Sequence, residues 1–131
     1  MRPSSSTNSA TFVACHLTEA RFSLLQLLGS KETSPIAAYL SLARGIDDVT
    51  QFPSLAEIQN AWTTASHLLR DRLAAMTPAQ LDAAIACPFP LPISDSSALS
   101  LLTFFVQHDS YHIGQLALLR KHVGLPPMQY A

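Results

Sequence analysis

His108 and His112 are the residues whose type and spacing most directly suggest chemistry. They stand in the segment FFVQHDSYHIGQLALLRKHVG. Four residues along an α-helix amount to ~40° of rotation and ~6 Å of rise, so both imidazoles occupy one face. Two neutral imidazoles so placed can share one divalent ion, with Zn–N distances of ~2.0 to 2.1 Å. Leu101, Phe105, Leu116, Leu119 and Val123 lie on that same face and read as core, which turns the pair inward. The spacing serves two core histidines equally well, since a buried imidazole needs only a hydrogen-bond partner to avoid a cost of order a few kcal/mol. The pair alone leaves both readings open.

His16 shifts the balance toward a metal. It falls between Val13 and Ala20 on the apolar face of an earlier helical segment. A third inward histidine from a second helix completes a three-ligand site. Such a site keeps a position for water or substrate, the mark of a catalytic rather than a structural metal. The alternative for His16 is a core histidine bonded to a backbone carbonyl. His67 falls on a polar helix face and reads as solvated. His122 lies three turns beyond His112 and reads, with Arg120 and Lys121, as a charge opposing the negative helix end. Asp109 is ~100° around the helix from His108, a supporting residue or a solvated one. Tyr111 and Gln115 can reach the rim of the site as substrate contacts; interhelical packing is the other role for Tyr111. Cys15 and Cys87 form no CxxC pair and read as free core thiols, with Cys15 turned ~100° from His16.

The elements that must hold these residues are helices. Val13, His16, Ala20, Leu24 and Leu27 recur at helical spacing, and Gly29 supplies a stop. Ser34-Pro35 opens a short helix through Ile36 to Arg44, broken by Gly45 and Asp47-Asp48. Ser54 with Glu57 forms a capping box, followed by Leu55, Ile58, Trp62, Ala65, Leu69, Leu73 and Met76 on one face. Thr77-Pro78 begins a further turn. Pro88, Pro90 and Pro92 forbid a regular helix and predict an extended crossover. Asp95 or Ser96 can cap the last helix, which runs to about Val123 before Gly124-Leu125-Pro126-Pro127. The expected architecture is an all-α helical bundle.

Composition narrows the function classes. The 131 residues fit one domain, with residues 1–10 as a flexible polar leader and 11–131 as the helical unit. Apolar residues make up 48% and charged residues 13%, so little of the chain can be disordered and some apolar surface calls for a second subunit. A net charge of -1 with no basic stripe argues against nucleic acid. No apolar run reaches the ~18 residues of a membrane span. Arg2 is followed by no hydrophobic signal core, and the expected location is cytoplasmic.

The stretch HDSYHIGQLALLRKHVGLP resembles the C-terminal signature of the DinB-like (DinB/YfiT) superfamily, through His108, Tyr111, His112, Gly114, Gln115, Arg120 and Gly124-Leu125-Pro126. His16-Leu17 with Arg21 and Leu27-Leu28-Gly29 matches that family's earlier histidine segment, and SLAEIQNAW its third helix. The resemblance spans about Ser9 to Met128. It implies a four-helix bundle with a long crossover and a divalent ion, zinc or nickel, on His16, His108 and His112. It also implies small-molecule chemistry of the kind known among relatives, which include thiol-dependent S-transferases and a maleylpyruvate isomerase. One departure stands out. The family's full helix before the first histidine helix is lacking or shortened here, so an apolar groove should lie open. A homodimer is the expected way to cover it, with the Ile36–Arg44 helix as the alternative. The chemistry expected is Lewis-acid activation of a water or thiol in an S-transferase or hydrolase. The competing expectation is a non-catalytic helical dimer or binding module that the metal only stabilises.

Overall fold

The computed structural model describes residues 2–41 and 45–129. Among the described residues five α-helices follow one another: α1 (Ala10–Leu27), α2 (Ala37–Leu40), α3 (Leu55–Ala74), α4 (Pro78–Asp82) and α5 (Ala98–His122). A 3-10 turn, Ile46–Asp48, sits between α2 and α3. Among the described residues there is no strand, only an isolated bridge between Ala84 and Ser97.

Local chemistry sets the helix ends. Ser9 accepts from the Phe12 N–H to start α1. Ser54 and Glu57 form the expected capping box on α3, and Thr77 with Gln80 forms a second on α4. The last helix is capped by Ser97 rather than Asp95 or Ser96. Asp95 instead accepts from the Ser97 N–H and the Ser100 hydroxyl, which fixes the turn ahead of the cap. Gly29 and Gly124 both adopt positive φ, +89° and +77°, and end α1 and α5. At each, paired backbone bonds close the last turn: Ser30 N–H to Leu25 O with Gly29 N–H to Gln26 O, and Leu125 N–H to Arg120 O with Gly124 N–H to Lys121 O. Arg120 also donates to Pro126 O, so it secures the helix end.

Helix α1 is the centre of the bundle. It packs against α3 on one side and α5 on the other. The first contact buries Cys15, Phe22 and Leu25 with Ile58, Ala61, Ala65 and Ile36. The second buries Leu24 and Leu28 with Ala98, Leu101 and Phe105. Arg21 bonds Ser66 and Arg72 bonds Leu28 O, so α1 and α3 run parallel, joined by the long crossover of residues 28–54. His16 meets His108 and His112 while Leu24 and Leu28 meet Leu101 and Ala98, so α5 runs antiparallel to α1.

Three expectations need correction. A single apolar face was expected on α1, but the helix is buried on two, because it is sandwiched. The short helix over Ile36–Arg44 is only Ala37–Leu40, and its residues 42–44 lie outside the described residues. The apolar face of α5 is covered only in part. Leu101 and Phe105 are buried, Leu116 and Leu119 half-buried, and Val123 is 48% exposed. The first turn of α1 and the residues before it border the end of α5 without closing over it: Pro3 and Ala10 line an open cleft with Leu116, Leu119 and Val123. Residues 2–9 form a turn rather than a helix, with Arg2 bonded to Thr7 O and paired with Asp47 at 2.7 Å.

A groove runs along α1 between α3 and α5. Two clefts follow one another in it, of about 250 and 410 Å³. Leu17, Ile58, Trp62 and Ile113 line the first, and Leu24, Leu69, Leu102 and Val106 the second.

Candidate metal centre

The α1–α5 contact brings the three predicted histidines together. One ligand nitrogen from each of His16, His108 and His112 lies within 4.8 Å of the others. His16 Nε2 and His108 Nε2 are 2.9 Å apart. The ring centroids are 4.5 to 4.9 Å apart, and each ring is half-buried. Among the described residues this is the one group of three or more histidine, cysteine or carboxylate side chains able to hold an ion. His67 is exposed, as its polar face predicts, and His122 is exposed at the helix end.

Electrostatics favours the ligand form of these imidazoles. Burial, and then the neighbouring His112 and His108, hold the His16 pKa down to about 4, against an opposing pull from Asp109. Burial and His112 also lower His108. Both rings are therefore neutral at pH 7, as metal binding requires.

The remote nitrogens show how each ring is held. His112 Nδ1 is 2.7 Å from Gln115 Oε1. An amide oxygen only accepts, so Nδ1 carries the proton and Nε2 keeps its lone pair for the cluster. Gln115 is held in turn by its Nε2, which donates to the Tyr111 hydroxyl at 3.2 Å. Tyr111 itself is 66% exposed and packs edge-on to His112. His108 Nδ1 is buried and has no hydrogen-bond partner. Phe12 stacks beside His16, and Phe104 lies beside His108.

This donor set fits a divalent ion. Three neutral imidazoles converge from two helices, and one has its tautomer set by a second layer. The outward Nδ1 of His108 leaves its Nε2 for the cluster. His16, His108 and His112 would hold the ion.

A family model described as the DinB superfamily matches residues 1–116. The chain belongs to the DinB superfamily. The match includes all three histidines, Tyr111 and Gln115, and ends before Arg120 and Gly124. The all-α bundle is the architecture that this membership implies. No curated protein and no solved structure matches the chain.

Two features of the site escaped the sequence reading. Asp109 is ion-paired with Arg21 at 3.3 Å, and each side chain is only 22% exposed. The ~100° offset from His108 points it toward Arg21 on α1 rather than toward water. The bond from His112 to Gln115 had a readable signal, since three residues along a helix places two side chains together. Cys15 is fully buried in the α1–α3 core, and burial together with Glu19 pushes its thiol up to about 11. Cys87 is only half-buried.

Proposed function

We propose that this chain is a divalent-metal-dependent enzyme that acts on a small molecule by thiol S-transfer or hydrolysis. His16, His108 and His112 are the ligands, and zinc or nickel is the ion. One observation carries the reading. Three imidazoles converge, and among the described residues no fourth histidine, cysteine or carboxylate joins the group. Structural zinc sites are closed by four protein ligands, whereas three leave a position for water or substrate. A divalent ion held there would supply Lewis acidity, lowering the pKa of a bound water or thiol. The chain's own residues do the rest. Burial keeps His16 unprotonated. Gln115 orients His112. Phe12, Phe104 and Tyr111 flank the rings and offer apolar contact to an organic substrate. The Tyr111 hydroxyl accepts from Gln115 and can still donate to a substrate group, so the two form the substrate-facing edge.

A second reading keeps the ion and drops the turnover. His16 and His108 would pin α1 to α5 beyond the buried cluster that ends at Phe105. Metal content of tag-free protein, measured by mass spectrometry beside a His108→Ala/His112→Ala variant, tests both. About one divalent ion per chain in the wild type, lost in the variant, is expected. No ion after incubation with zinc and nickel overturns both readings. Metal-dependent turnover in a screen of thiol-transfer and hydrolysis substrates separates the enzyme from the pin.

We also propose a homodimer built on the groove beside α1. Leu55 and Val106 on its walls are 69% and 66% exposed, apolar side chains that a second copy would cover. Light scattering at micromolar concentration should report twice the 14.2 kDa chain mass, and a monomer overturns the proposal.

A further inference from the structure

Helix α3 contributes no ligand to the three histidines, yet one of its contacts reaches them. Arg21 on α1 lies with its guanidinium carbon 3.6 Å from the Trp62 ring centre and donates to Ser66 Oγ at 2.5 Å. Both partners belong to α3. The other arm of the same guanidinium donates to Asp109 Oδ2 at 3.3 Å. Asp109 Oδ1 then faces His108 Nδ1 at 3.8 Å. That is too long for a hydrogen bond. It nonetheless sets a carboxylate oxygen opposite a nitrogen that is buried and without a partner. With an ion on Nε2 the proton would sit on Nδ1, and a buried N–H left unpaired costs roughly 1–3 kcal/mol, so the arrangement favours closing this gap. Metal-bound histidines almost always donate the other ring nitrogen to a carboxylate, carbonyl or water.

We propose that Asp109 is the positioning residue for His108, accepting from its Nδ1–H, and that Arg21, a residue of α1 anchored on α3, is the strut that holds Asp109 in place. The proposal rests on the metal-binding reading of the three histidines. Its chemistry is specific. The carboxylate fixes the His108 tautomer that leaves the Nε2 lone pair inside the cluster. It also makes that imidazole a stronger donor than His112, whose partner is the neutral Gln115 amide. Arg21 can act at this distance because stacking and hydrogen bonding to α3 fix its plane, and a planar fork loses little freedom on pairing. The centre thus draws on three helices, although its ligands come from two.

The test is zinc affinity by competition with a chromophoric chelator, together with the His108 tautomer from long-range proton–nitrogen NMR. Wild-type protein loaded with zinc should show His108 protonated at Nδ1. Protonation at Nε2 overturns the proposal without any variant. Asp109→Ala should weaken zinc binding ~10–100-fold. Asp109→Asn, which loses the ion pair but keeps an acceptor oxygen, should recover part of that loss. Equal affinities for the alanine and asparagine variants would reduce Asp109 to a plain ion-pair partner of Arg21 and refute the positioning role. So would an alanine variant within twofold of the wild type. A wild type that takes up no zinc refutes the metal reading itself, a result distinct from all of these.

Discussion

Leu101→Ala should destabilise the protein by about 3 kcal/mol and loosen the histidine cluster with it. Leu101 is 1% exposed and sits among Leu24, Leu28, Ala98 and Phe105. It lies two helical turns before His108 on the same face of α5, so the cavity opens in the contact that brings His16 to His108. Buried leucine truncations cost ~2–5 kcal/mol, the spread depending on how far the walls collapse. Here the buried neighbours are Leu24 and Leu28 of α1 and Ala98 and Phe105 of α5 itself, with partly buried residues around them that can close only some of the space. That places the cost in the middle of the range. For a chain of this size each kcal/mol lowers the melting temperature by about 3–4 °C, so the loss is ~10 °C. Val106→Ala is the matched control, five residues away on the same helix and 66% exposed. In a monomer it costs under ~0.5 kcal/mol. Thermal unfolding followed by circular dichroism, at two protein concentrations, measures both. Zinc at a hundredfold excess over its dissociation constant should return about 2.7 kcal/mol to the Leu101 variant, by binding only the folded state. A Leu101 loss below ~1 kcal/mol would refute the packing of α1 on α5 described above. A large, concentration-dependent loss for Val106→Ala would show that a second copy covers the groove.

Three further outcomes follow from the same contacts. In the metal-free protein, stability should fall as pH drops from 6.5 to about 4. Unfolded His16 takes up its proton at the ordinary value while the folded ring resists until about 4, so acid favours the unfolded chain in that window. Urea titrations of wild type and His16→Gln across this range check it, and identical pH profiles would contradict it. Ser54→Ala should cost about 1 kcal/mol by leaving the Glu57 N–H without its cap, and urea titration should show it as a lower midpoint at unchanged slope. Cys15 should resist alkylation under native conditions while Cys87 reacts first, because one thiol is buried with its pKa raised to about 11 and the other is half-exposed. Peptide mapping after brief iodoacetamide treatment would show the order.

Much of this fold was readable because its signals are local. The capping box at Ser54–Glu57, the prolines after Cys87 and the glycines at 29 and 124 act within a few residues; helix ends lie at the box and at both glycines, and the proline stretch lies in the non-helical segment between α4 and α5. The i,i+4 geometry of His108 and His112 is equally local. The readings that failed depend on neighbours. Helix α1 carries two buried faces because α3 arrives parallel to it through a long crossover, and no pattern within α1 announces a second partner. Val123 repeats the α5 core spacing faithfully and is exposed all the same, because it lines an open cleft with Pro3 and with Ala10 at the very start of α1.

Asp109 shows why a site's ligands are easier to read than the residues that hold them. A ligand set has a signature in residue type, since three inward histidines have few other uses. A carboxylate beside a ligand has many, and its offset of ~100° from His108 suggests water as readily as protein. What decides its role is Arg21, eighty-eight positions away, and Arg21 is itself placed by Trp62 and Ser66 on a third helix. Each link in that chain is set by the register of one helix against another. A slide of one turn, ~5.4 Å, in either contact would part Arg21 from Asp109 or from Trp62 and Ser66. The position of α3 against α1 therefore bears on the proposed metal centre, through a guanidinium that touches none of the three histidines.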